Sequence, residues 1–128
     1  MKNVTINGKN YEMRSETPVK LNNGSLVVHY NYAGVVLGAY IVTSFRDGKG
    51  KYHGDQTSPY CSLVDLENGY IKFDERCSRN TTMGRVISHL NPNDYMGKDA
   101  IENGQYIEVY KNGNFKIDLS FNRGDCNE

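Results

Sequence analysis

The chain has no tryptophan, and only three prolines and three cysteines in 128 residues. Cys61, Cys77 and Cys126 are odd in number and widely spaced, with no CxxC. Free thiols in a reducing compartment fit that pattern better than a disulfide framework. Net charge is also missing, since fifteen Lys and Arg offset fifteen Asp and Glu. A general nucleic-acid coat or a polybasic membrane binder needs a large field of one sign, so a long nucleic acid is not a favoured partner. The longest apolar run, Ala33 to Val42, is half of the ~20 residues a membrane helix requires. Residues 1–8 lack the apolar core of a signal peptide. The expectation is a soluble protein of the cytoplasm, the host cytoplasm if the chain is viral.

Recognisable chemistry is equally scarce. There is no GxxxxGK[ST] phosphate loop. His29, His53 and His89 are too scattered for metal ligands, and Asp94, Asp99 and Glu102 lack the calcium-loop pattern. No cofactor, metal or catalytic set is expected. Cys61, His53 and Asp55 leave a small hydrolase or transferase as an alternative, although neighbours in sequence need not meet in space.

What is abundant is turn chemistry. Thirteen Gly and fifteen Asn include five Asn-Gly pairs, at Asn7, Asn23, Asn68, Asn103 and Asn112. Both residues tolerate positive φ, so the pair favours tight hairpin turns. A two-residue turn at Asn7-Gly8 sets Val4 opposite Tyr11 and gives a half-buried alternation. Further hairpins are expected to join 18–21 to 25–32 through Asn23-Gly24, 61–66 to 70–73 through Asn68-Gly69, and 105–110 to 115–121 through Asn112-Gly113. Gly34 marks a bend into an apolar strand over 35–45, where Gly38 signals a bulge or close backbone approach. Met83, Val86, Ile87 and Leu90 then fall at i, i+3, i+4 and i+7, a helical stripe. Ser78 or Asn80 is the expected cap, and Asn91-Pro92 the stop. Residues 93–103 have room for a short second helix.

These features describe one α+β domain over 1–121 with a frayed tail at 122–128. Its expected form is a small antiparallel β meander of about seven to nine short strands, sandwich- or barrel-like, with one amphipathic helix packed on it.

Two basic clusters are candidate ligand sites. Arg46, Lys49, Lys51, Tyr52 and His53 lie in a glycine-rich loop whose free backbone amides and cations suit a phosphate. The competing reading is a solvated hairpin tip. Arg76, Arg79, Asn80, Thr81 and Arg85 surround the expected helix start, where backbone N–H groups favour an anion. Ordinary capping, with the arginines paired to Asp74 and Glu75, competes with that reading. Ten tyrosines, several at even spacing on strands, suit either an interface or a half-buried sheet.

A short, Asn- and Tyr-rich, strand-heavy chain of this kind resembles, in general character alone, small phage accessory proteins that block host enzymes or immune signals. The resemblance implies a stoichiometric binder rather than a catalyst. The expected function is a non-enzymatic inhibitor of a host defence system. It would bind a defence protein or sequester a small phosphorylated, nucleotide-like signal. A structural or assembly protein forming a homo-oligomer is the third reading.

Overall fold

The computed structural model describes residues 3–46, 49, 51–53, 58–72 and 77–111. The first hairpin follows its turn chemistry. Asn7 and Gly8 both hold positive φ, 51° and 84°, and link β1 (Asn3–Ile6) to β2 (Lys9–Glu12) with Val4 opposite Tyr11. Two positive φ values in a row are what a two-residue hairpin turn requires.

The chain continues through β3 (Pro18–Lys20), β4 (Leu26–Tyr30), β5 (Val36–Arg46), β6 (Tyr52–His53), β7 (Tyr60–Asp65), β8 (Cys77–Ser78) and β9 (Asn80–Thr82). Then come α1 (Met83–Leu90), a 3-10 turn (Tyr95–Gly97), α2 (Lys98–Glu102) and β10 (Tyr106–Tyr110). The main sheet runs β2-β1-β10-β4-β5-β7-β8, with β6 paired to β5, and β3 with β9 forms a second, two-stranded sheet. This is an α+β fold in which, among the described residues, every pairing is antiparallel except β1 with β10.

The strand order departs from a simple meander in two places. β10 inserts between β1 and β4, because Ile107 and Val109 are apolar strand residues that end up fully enclosed there. The expected pairing of 18–21 with 25–32 also does not form. Leu21 is wholly buried, its N–H bonds the Arg79 carbonyl, and Gly24 N–H bonds Val42 O. Asn23-Gly24 is therefore a corner between the two sheets, and β3 pairs with β9 instead. The Asn68-Gly69 turn closes as expected, with Asp65 N–H on Tyr70 O and a bridge from Val64 to Ile71. Asn103-Gly104 ends α2 rather than a hairpin, with Gly104 N–H bonding Ile101 O. The Asn112 turn, the strand expected at 115–121 and the tail lie outside the described residues.

On β5, Gly38 faces His29 just before a register shift, and a Cβ at 38 would meet the Tyr40 ring at 2.9 Å. The irregularity is present, and the close approach is made by the Tyr40 side chain rather than by backbone. The helical stripe buries Met83, Val86 and Ile87 against the sheet. Its cap is Thr82, whose Oγ1 accepts from Arg85 N at 3.2 Å, not Ser78 or Asn80. Ser78 and Asn80 are drawn into strands, so helical geometry begins only at Met83. Asn91 stops the helix as expected, its N–H bonding Ile87 O.

Candidate functional site

The two sheets leave a groove of about 520 Å³ between the β1–β2 hairpin and the β3–β9 pair. Ile6 and Val19 form its buried floor. Lys9 and Tyr11, alternate residues of β2, share the sheet face of Ile6 and Val4, their register partners. Across the groove, Lys20 stands opposite Asn80, Val19 opposite Thr81 and Pro18 opposite Thr82. Asn7 ties the two sides together by donating its Nδ2–H to Lys20 O at 2.7 Å. The Asn7 Oδ1 is buried and accepts no hydrogen bond. Lys9, Lys20, Tyr11 and the β9 residues Asn80, Thr81 and Thr82 border the space, and no acidic residue does among the described residues. A surface of this kind suits a compact ligand that carries negative charge, an apolar body and a donor group.

The structure separates the residues that the sequence grouped. Asn80 and Thr81 line the groove, and Arg85 is exposed on α1, three residues past the groove-lining Thr82. Arg79 is 5% exposed and is turned to backbone carbonyls, with Nε on Ser58 O at 2.7 Å and Nη1 on Leu21 O at 3.1 Å. Its geometry is that of a clamp between segments distant in sequence. Arg46 pairs with Tyr52 and Phe45 with His53, so the strands on either side of the basic glycine segment are antiparallel partners. Lys49 and Lys51 are exposed, and no described residue of that segment lines the groove. The side chains of Arg46, Tyr52 and His53, and all of Arg76, lie outside the described residues.

Sequence reasoning missed Lys9, Lys20, Asn7 and Tyr11. The alternation of β2 already put Lys9 and Tyr11 on one face. Only the long-range pairing of β3 with β9 brings Lys20 and Asn80 opposite them.

Tyr30, Tyr40 and Tyr106 are buried in the core, whereas Tyr32, Tyr70 and Tyr95 are largely exposed. Tyr30 and Tyr106 stack with ring centroids 4.9 Å apart, and Tyr30 Oη lies 3.1 Å from Tyr110 Oη, which bonds Glu108. Burial pushes the Tyr110 phenol up to about 12, helped by its bond to Glu108. Burial also raises Tyr40 to about 12, with the Asp65 and Glu67 charges adding to it. Phenols held this way are poor proton donors or acceptors near neutrality. Among the described residues, no three His, Cys, Asp or Glu side chains cluster as a metal site, and no helix is long and apolar enough to cross a membrane. Compared with family models, with curated proteins and with solved structures, the chain has no match.

Proposed function

We propose that the chain is a non-enzymatic binding protein that holds a small anionic, nucleotide-like ligand in the groove between β2 and the β3–β9 pair. The observation that carries this reading is the lining: Lys9 and Lys20 on separate walls, an apolar floor, and no carboxylate among the described residues. The groove has the volume of a small-molecule site, and Tyr11 offers a ring face for a base. Asn7 Oδ1 supplies an acceptor for an amino or hydroxyl group of the ligand. Zero net charge keeps long polyanions from competing through a general field. Sequestration of a signal in a host defence pathway is the biological role in keeping with the resemblance to small phage accessory proteins.

Calorimetric titration with a panel of mononucleotides, dinucleotides and cyclic nucleotides tests this. One class binds with one ligand per groove and is recovered chemically intact. Lys9→Ala and Lys20→Ala each remove a charge-assisted contact and weaken binding by about 1.5 kcal/mol, roughly tenfold. No heat with any of the panel, unchanged affinity in both variants, or a converted ligand would overturn the proposal.

A further inference from the structure

We propose that Cys61 and Cys77 form a reversible redox site, a dithiol that a hydroperoxide oxidises to an intramolecular disulfide. The two residues are direct partners in the antiparallel register of β7 and β8. Opposite residues in such a ladder have Cα atoms about 4.5–5.5 Å apart, inside the about 4.4–6.8 Å that a disulfide spans. The two thiols are close enough for each to shift the other's titration, and the Cys77 Sγ–H donates to Ser78 O at 3.9 Å. Cysteines so far apart in sequence meet only through this register, and the structure holds both as free thiols.

The surroundings favour one thiolate. The neighbouring Cys77 thiol lowers the pKa of the Cys61 thiol, burial opposes that, and the Arg79 charge adds to the lowering. Cys77 is pushed up, first by the Cys61 thiol and then by burial. Cys61 is therefore the attacking sulfur and Cys77 the resolving thiol, an arrangement typical of reactive cysteines. The Cys61 thiolate attacks one oxygen of the hydroperoxide, the O–O bond breaks, and Cys61 becomes a sulfenic acid as hydroxide leaves. The Cys77 sulfur then displaces the sulfenic oxygen, which departs as water with the Cys77 proton. Counting the proton first released by Cys61, two thiols and one hydrogen peroxide yield one disulfide and two waters. Both cysteines are enclosed, at 0% and 1% residue exposure, but β8 is two residues long and is an edge of the main sheet among the described residues. Short edge strands open locally at low cost, which admits the oxidant. Once formed, the bond staples that edge to β7.

The test is a peptide map of the full chain. Trypsin places the three cysteines on separate peptides, 52–72, 77–79 and 124–128. The reduced protein is treated with hydrogen peroxide, alkylated in denaturant and digested. Peptides 52–72 and 77–79 then appear joined, two hydrogens lighter than their sum, and dithiothreitol releases them. Cys126→Ser keeps the link. Recovery of both peptides separately, alkylated or over-oxidised to sulfinate, or a link that runs through Cys126, would overturn the proposal. The wild-type map is decisive even if a cysteine variant fails to fold.

Discussion

His29 shows how a single side chain couples the fold to pH. It lies on β4 between Ile107 of β10 and Gly38 of β5, with Nε2 2.8 Å from Gln105 Oε1. Burial lowers its pKa below the ordinary 6.5, outweighing the Gln105 hydrogen bond. Between 6.5 and that lowered value the unfolded chain binds the proton and the folded chain does not. Stability is thus full above pH 6.5 and falls as the pH drops through this window. Urea midpoints should hold steady from about pH 8 to 6.5 and decline below it, with most of that decline lost in His29→Gln. Wild type and variant declining in parallel would rule this out. Arg79 carries the opposite lesson about legibility. Beside Ser78 and Asn80 it reads as a solvent-facing cation, yet its acceptors lie 21 and 58 residues away in sequence. No local pattern encodes such partners. A buried guanidinium satisfied by carbonyls is visible only once the chain has closed on itself.

At the level of elements, the helix was the most readable part. Its stripe at 83, 86, 87 and 90 is a periodicity that burial alone selects. The cap was not readable, because Ser78, Asn80, Thr81 and Thr82 are all competent and only strand pairing decides among them. The second helical segment owes its position to Asp94, which is buried and accepts from Asp99 N through Oδ1 and from Ala100 N through Oδ2, both at 2.8 Å. α1 and this segment meet at two glycines. A Cβ on Gly84 would lie 2.9 Å from Ser15 O and closer still to the Met96 carbonyl, and one on Gly97 would lie 2.8 Å from Gly84 O. Gly84→Ala therefore sets two effects against each other. Helix propensity gains at most about 1 kcal/mol, whereas forcing backbone apart in a packed contact costs about 1–3 kcal/mol. The clash wins, so denaturant unfolding should show a net loss of stability. A more stable Gly84→Ala protein would mean that α1 and the turn at 95–97 do not pack this closely.

Over the whole molecule, stability is distributed by position in the sheet. β4 and β5 are paired on both edges and surrounded by core residues, whereas β1 and β2 attach to the rest of the sheet through β10. The β1–β10 register is anchored at Ile6 and Val109, with Asn7 N–H on Val109 O. Amide exchange should be slowest in β4 and β5 and faster in β2 and β8, the ends of the sheet among the described residues. Equal protection of all four strands would contradict this topology. The groove hangs on the same long-range joint, since β10 holds the hairpin that faces β3 and β9. The sequence alone determined the hairpin at Asn7-Gly8, the helical stripe, the apolar β5 and the α+β class, because turn dihedrals and burial periods are set by neighbours within a few residues. Tertiary structure alone decided the insertion of β10, the pairing of β3 with β9, the inward turn of Arg79 and the facing of Cys61 with Cys77. Those outcomes depend on which apolar strands bury each other across the chain, and strand pairing is non-local, so many registers satisfy the same local pattern.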